Sequence, residues 1–147
     1  MKIRLLEQKD FDLVLSMMEV FYASDALLIH PDTETLKKTL TDAISAGPYL
    51  KGYGFWEENK LCGYGMVAMS YSTEAGGLCV WIEDIYVKPG YRGRGFGTDF
   101  LRFVSETYGP KVARIRLEAE PENEKAISVY KNAGYEVLGY TQLIRDL

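Results

Sequence analysis

The chain has 147 residues, of which 47% are hydrophobic, and this length and composition are typical of one soluble domain with a single core. The formal net charge of -4 argues against a nucleic-acid-binding protein, which needs a basic face. Since no apolar run approaches the roughly 18 residues of a membrane helix and no signal-peptide core is evident, we expect a cytoplasmic protein without a membrane partner and a single domain over residues 1–147.

The first third of the chain predicts one strand followed by two helices. A short strand over Lys2–Glu7 precedes Asp10, whose residue type often caps helices, and apolar residues then recur at helical spacing. A second helix is predicted to begin at Asp32 or Thr33 and to end before Gly47.

The middle of the chain predicts a run of β-strands. Aromatic and β-tolerant residues fill Tyr49–Trp56 and Leu61–Tyr71, and the segment between them contains Asn59, which tolerates the left-handed backbone conformation of a tight turn. These two strands are therefore predicted to form a hairpin. After a turn rich in glycine, Leu78–Val87 is the most strand-like segment of the chain.

The last third alternates between helix and strand. The glycine-rich segment 88–97 opens an amphipathic helix, Lys111–Ala119 reads as a strand, a helix begins at Pro121 or Glu122, and a final strand is expected from Tyr135. This order predicts a mixed α/β domain. The strand before the glycine-rich segment and the strand after its helix should run parallel.

The glycine-rich segment has the chemistry of a phosphate-binding loop. Glycines at a helix amino terminus let backbone N–H groups approach an anion, and the helix dipole favours negative charge there. Arg92 and Arg94 add two cations. The spacing of Gly93, Gly95 and Gly97 completes neither the dinucleotide-binding nor the Walker motif. A surface turn with solvated arginines is the alternative interpretation.

Two segments together resemble the GCN5-related N-acetyltransferase (GNAT) superfamily. Residues 92–97 match its signature [QR]-x-x-G-x-[GA], and Asn123, Ala126, Tyr130 and Gly134-Tyr135 match its second stretch, N-x-x-A-x-x-x-Y-x-x-x-G-[FY]. The resemblance implies a central mixed sheet with two splayed parallel strands, helices on both faces, and acetyl-coenzyme A in the cleft between those strands. It further implies an N-acetyltransferase whose amine acceptor attacks the thioester directly, and homodimers are common among similar proteins.

The resemblance also implies which residues hold acetyl-coenzyme A. Backbone groups of the strand would bind the pantetheine arm and the acetyl carbonyl, the loop would bind the phosphates, and the last helix would add two side chains. For the asparagine of that helix, a first-turn residue that satisfies local backbone groups is an equally good interpretation. The expected contacts are Ile85, Tyr86, Val87, Arg92, Gly93, Arg94, Gly95, Phe96, Gly97, Asn123 and Tyr130.

Glu83 and Tyr130 are the candidate catalytic residues. An alkyl amine with a pKa of about 10 is mostly protonated near neutral pH, so a proton acceptor should help, and the resemblance implies that Glu83 takes this role, directly or through water. The departing thiolate needs a proton, and the resemblance implies that the phenol of Tyr130 donates it. Successive strand residues face opposite sides, so Glu83 and Asp84 cannot both enter one cleft unless a bulge intervenes. The alternatives are a carboxylate that only orients the acceptor and a tyrosine that only packs on the sheet.

Several functional choices stay open at the level of sequence. Cys62 and Cys79 lie in apolar stretches without metal-ligand spacing, so we predict buried thiols and no metal site. The acceptor is a small amine, a polyamine, an antibiotic amine or a peptide or protein amine. A non-catalytic acyl-coenzyme A binding or sensing module is the alternative function, because its phosphate loop would look the same.

Overall fold

The computed structural model describes residues 1–25, 27–45 and 47–147, which form one five-stranded sheet with helices on both faces. The strands are β1 Lys2–Leu5, β2 Leu50–Glu57, β3 Lys60–Ser72, β4 Gly77–Val87 and β5 Arg114–Leu117. The helices are α1 Phe11–Tyr22, α2 Thr33–Ile44, α3 Phe96–Tyr108 and α4 Glu124–Asn132.

The sheet has the strand order β1-β2-β3-β4-β5 and is antiparallel except for its last pair. β4 and β5 run parallel, which confirms the predicted mixed α/β fold. Their pairing extends only from Cys79↔Arg114 to Ile82↔Leu117. β4 continues to Val87 without a strand partner on that side among the described residues. This edge of β4 leads directly to the glycine-rich segment.

The predicted hairpin between β2 and β3 is confirmed. β2 ends at Glu57 and β3 begins at Lys60, so the loop consists of Glu58 and Asn59. Both residues have positive φ angles, 47° and 65°. Two residues in this conformation match the right-handed twist of the strands they join, which is why asparagine is favoured there.

Apolar layers cover both faces of the sheet. On one face, Met18 of α1 and Leu40 of α2 belong to a buried cluster with Tyr64 of β3. On the other face, Phe100 of α3 belongs to a buried cluster with Val80 of β4. Burying one such side chain contributes about 1.5–3 kcal/mol, so the two layers fix the sheet between the helices.

Two predicted boundaries were wrong by a few residues. α4 begins at Glu124, later than Pro121 or Glu122, because Asn123 is its N-cap and accepts a hydrogen bond from a backbone N–H of the first turn. β5 is shorter than the predicted strand Lys111–Ala119 because a 3-10 turn occupies residues 109–111.

The final strand predicted from Tyr135 is absent, since residues 135–147, all described, lie in neither a helix nor a strand. A strand requires backbone pairing with a neighbour, and the polar side chains of this segment instead bind residues that flank the strands. Tyr140 donates a hydrogen bond to Glu74 at 2.6 Å, and Gln142 donates one to Glu118. The strand content expected for this segment was therefore too high.

Candidate active site

The glycine-rich segment forms a loop at the amino terminus of α3. Gly93 and Gly95 have φ angles of 73° and 87°, a region that strains residues with a Cβ atom. Gly95 is the N-cap of α3, so the first-turn N–H groups of this helix follow it directly. Phe96 is 4% exposed and its ring packs in the core, which leaves only its backbone for a ligand. The predicted loop thus has the form of an anion cradle.

The two arginines of the loop have different surroundings. The Nε–H group of Arg92 donates to the carbonyl oxygen of Val87 at 2.9 Å, and its side chain is exposed. Arg94 forms an ion pair with Glu57, with Nη2 at 2.7 and 2.8 Å from the two carboxylate oxygens. This ion pair connects the glycine-rich loop to the last residue of β2. The phosphate-binding role of both arginines stays a prediction, and Arg94 must exchange its partner to fulfil it.

A β-bulge lies in β4 at Glu83. β3 pairs Met66 with Asp84 and Val67 with Ile82, so Glu83 is skipped. Accordingly, the β4 residues that pack against α3 change from even to odd numbers across the bulge. Glu83 and Asp84 therefore lie on the same face of the sheet, the face that α1 covers. A bulge is the one case in which the alternation of strand side chains allows Glu83 and Asp84 to enter the same cleft.

Asp84 is buried against α1. It is 3% exposed, and the hydroxyl of Tyr22 donates a hydrogen bond to its Oδ1 at 2.7 Å. Burial raises the pKa of Asp84 above its ordinary value, and the hydrogen bond from Tyr22 offsets only part of this rise. The carboxyl group thus links α1 to the bulge.

Glu83 faces solvent through a cleft, while the surrounding protein removes part of its hydration. This desolvation raises the pKa of its carboxyl group, and the negative charges of Asp84 and Glu118 raise it further. A carboxylate with a raised pKa is a better proton acceptor than an ordinary glutamate. The electrostatics at the bulge therefore suit the predicted role.

The cleft beside Glu83 is open and has a volume of about 360 Å³. Its wall also includes Trp81, Arg116, Glu118 and Gln142, residues that the sequence did not single out. Trp81 could have been found, because it lies two residues from Glu83 on the same strand. Arg116 and Glu118 are placed there by the register between β4 and β5, and Gln142 by the course of the segment after α4, and a single sequence reveals neither.

Tyr130 lies on α4, on the other side of the sheet from Glu83. It packs against the α3-side cluster, and its ring centroid is 6.3 Å from that of Tyr135. Burial raises its pKa, so the phenol stays protonated at neutral pH. A molecule that contacts both Glu83 and Tyr130 must lie in the gap where β4 extends beyond β5.

Asn123 has a local structural role. Its Oδ1 accepts a hydrogen bond from the backbone N–H of Ala126 at 3.2 Å and so caps α4. This hydrogen bond agrees with the alternative interpretation of Asn123 as a first-turn residue that satisfies local backbone groups. Its contact with coenzyme A stays a prediction.

Three further features concern the thiols, metal ligands and membrane-spanning helices. Cys62 and Cys79 are buried free thiols, as predicted. Within the described ranges, no group of three or more His, Cys, Asp and Glu side chains could hold a metal ion. Of the helices in these ranges, none is long and apolar enough to cross a membrane.

Comparison with known proteins decides the family. The model of the acetyltransferase (GNAT) family matches residues 16–135, more than half of the chain. The chain belongs to the GNAT family. Thialysine N-epsilon-acetyltransferase of Bos taurus is 40% identical over 77 residues, which cover 52% of this chain and 45% of that protein. The GNAT chain thus spans about half the length of the curated relatives it matches.

Solved structures support the same fold. A possible acetyltransferase from Clostridium difficile 630 superposes with a TM-score of 0.86 at 19% identity, covering 99% of this chain and 97% of that one. The structure of AAC(6')-Iy in complex with the bisubstrate analog CoA-S-monomethyl-acetylneamine gives a TM-score of 0.80 at 16% identity, again covering 99% and 97%. At these identities the likeness concerns the fold alone.

Proposed function

We propose that this GNAT chain is an acetyl-coenzyme A dependent N-acetyltransferase over residues 1–147 that acetylates a primary amine by direct attack. The observation that carries the proposal is the bulge at Glu83, which presents a carboxylate with a raised pKa beside the unpaired edge of β4. The phosphate loop follows the same strand. Acetyl-coenzyme A and the amine would therefore meet at the unpaired edge of β4.

The groups present fit acetyl-coenzyme A. The N–H groups at the start of α3, together with Arg92, offer a cradle for the pyrophosphate. The edge of β4 over residues 83–87 has no strand partner within the described ranges, and its backbone groups are available to the amides of the pantetheine arm. When bound, acetyl-coenzyme A supplies an activated acyl thioester.

The proposed chemistry uses one residue on each side of the gap. Glu83 accepts a proton from the amine, directly or through water, as the nitrogen forms its bond to the acetyl carbon. Backbone N–H groups of β4 stabilise the negative charge that develops on the carbonyl oxygen. Tyr130 donates a proton to the sulfur as the carbon–sulfur bond breaks. Direct attack of the amine needs no acyl-enzyme, and the buried thiols of Cys62 and Cys79 are poorly placed to form one.

The acceptor that we propose is a small-molecule amine. The cleft of about 360 Å³ has the size of a small-ligand site and carries two carboxylates, Glu83 and Glu118, that attract a cation. The name of the bovine relative points to an amine at the end of a lysine-like side chain. Polyamines, antibiotic amines and peptide amines are the competing classes.

A homodimer is part of the proposal. Val137, Leu143 and Ile144 are 76%, 92% and 69% exposed, and they lie in the segment that follows α4. Apolar side chains exposed in one segment are typical of an interface. Sedimentation should show a dimer, and a monomer at all concentrations would exclude this part of the proposal. The cytoplasmic location stays a prediction.

An acceptor screen tests the proposed function. Acetyl-coenzyme A binding is first measured by calorimetry, and free coenzyme A is then followed with a panel of small amines, polyamines, aminoglycosides and peptides. We expect binding, and thiol release with at least one small amine, accompanied by the N-acetylated product in a mass spectrum. Binding without transfer to any amine would favour the non-catalytic acyl-coenzyme A module instead.

A further inference from the structure

Arg116 stacks on Trp81 in the wall of the cleft. The two residues are paired across the parallel strands β4 and β5, and the guanidinium carbon lies 4.4 Å from the indole centroid. Stacking on an aromatic ring restrains an arginine while leaving its N–H groups free to bind. The cation is therefore held at a fixed place in the cleft.

Arg116 has no ion-pair or hydrogen-bond partner among the described residues. The neighbouring carboxylate, Glu74, already has two partners. Arg114 donates to its Oε2 at 3.0 Å, and Tyr140 donates to its Oε1 at 2.6 Å. A half-buried guanidinium that is positioned but unpaired is suited to an anionic ligand.

The charges in the cleft are separated along the strands. Asp84 and Glu118 raise the pKa of Glu83, whereas the charge of Arg116 lowers the pKa of Glu74, which lies in the turn before β4. Trp81 and Glu83 are two residues apart, about 6.6 Å along a strand. The cleft therefore offers an anion site and a cation site separated by the length of a short aliphatic chain.

We propose that Arg116 is a specificity residue that binds the carboxylate of an amino-acid acceptor while the side-chain amine of that acceptor reaches Glu83. This inference rests on the proposed function and deepens it. A planar guanidinium binds a carboxylate through two parallel hydrogen bonds, which orients the acceptor as well as attracting it. A polyamine places a cation against Arg116 and is disfavoured, since like charges repel.

The test compares acceptors that differ only in the carboxylate. Thialysine and lysine are each assayed as the free acid and as the carboxamide, with kcat and KM determined separately. For the wild-type chain we expect a higher kcat/KM for the acids by roughly 10- to 100-fold, mainly through KM, because a charged hydrogen-bonded pair is lost in the amides. Equal or better use of the amides would overturn the inference without any variant.

The variants assign the preference to one side chain. In Arg116→Gln the ratio of acid to amide should fall to about one, and in Arg116→Lys it should lie between that value and the wild-type ratio, because the charge remains but the paired N–H groups are lost. Arg114→Gln is the matched control, and the acid preference should persist in it. A wild-type ratio in Arg116→Gln would exclude the role.

The outcomes separate this inference from the function on which it rests. If amines are acetylated but the acid preference is missing or independent of Arg116, the inference alone fails. If no amine in the panel is acetylated, the proposed function fails, and the inference fails with it.

Discussion

Tyr130 and Tyr135 provide a comparison at the scale of single residues. Both rings are half-buried and pack against each other, but only Tyr130 has a proposed role in proton donation. Tyr130→Phe should slow single-turnover acetyl transfer by about 100-fold, the order expected for a lost general acid. Tyr135→Phe removes a hydroxyl from the neighbouring ring and should retain the wild-type rate. Equal rates in both variants would assign Tyr130 to packing.

The positions of some site residues could be predicted from the sequence, and those of others could not. The residues around Gly95 and Tyr130 form spaced motifs, and both residues lie on the elements predicted for them, although α4 begins later than expected. The bulge at Glu83 has no local signal, because it arises from the way β4 pairs with β3. Arg116 was missed for a similar reason, since its contact with Trp81 depends on the register of the parallel strands.

At the scale of elements, the loop before α3 depends on the backbone of Gly95. Its φ angle of 87° lies in the left-handed region, where a Cβ atom costs about 1–2 kcal/mol. Gly95→Ala should lower the free energy of unfolding by about that amount and weaken acetyl-coenzyme A binding. Urea unfolding and calorimetry measure the two effects. Gly90→Ala is the control, because Gly90 lacks a positive φ angle and has open space around it. Equal effects at both positions would contradict this account of the loop.

The start of α1 is held by a partly buried ion pair. Arg4 donates to both carboxylate oxygens of Asp10 at 2.8 and 3.1 Å, and the N–H group of Glu7 donates to Oδ2 at 2.9 Å. Burial raises the pKa of Asp10, but the hydrogen bonds from Arg4 and Glu7 outweigh it, and the pKa is lowered. This stabilisation is present above the unfolded-state pKa of about 3.9 and is lost as the pH falls through the lower folded-state value.

Asp10→Ala should therefore lower the free energy of unfolding by about 1–3 kcal/mol at neutral pH, because buried donors lose their acceptor. The difference from the wild type should shrink below about pH 4, because Asp10 of the unfolded chain then binds a proton that the folded chain takes up only at lower pH. Urea unfolding of both proteins across this pH range measures the difference in their free energies of unfolding. Asp12→Ala, at an exposed position, should stay within about 0.5 kcal/mol of the wild type. A difference at Asp10 that does not vary with pH would exclude the ion pair as its cause.

At the scale of the whole molecule, the order of elements and the mixed sheet could be predicted from the periodicity of apolar residues and from turn residues such as Asn59. The segment after α4 could not. A strand forms only by backbone pairing over a distance, and this segment does not pair with the open edge of β5. Local patterns thus predict elements well and long-range pairing poorly.

The central claim is that a carboxylate at the bulge of β4 accepts the proton of the attacking amine. The measurement is the single-turnover rate of acetyl transfer as a function of pH, for the wild type, Glu83→Gln and the cleft control Glu118→Gln. Acetyl-coenzyme A binding is checked in each.

The wild-type rate should rise with pH as Glu83 loses its proton, with a midpoint above the ordinary glutamate pKa of about 4.3. Glu118→Gln should keep this rise and shift it to lower pH, since one of the charges that raise the pKa of Glu83 is removed. Glu83→Gln should be slower by about 100-fold and lack the rise that follows the ionisation of Glu83, while acetyl-coenzyme A binds as before. A wild-type rate and pH profile in Glu83→Gln would contradict the account.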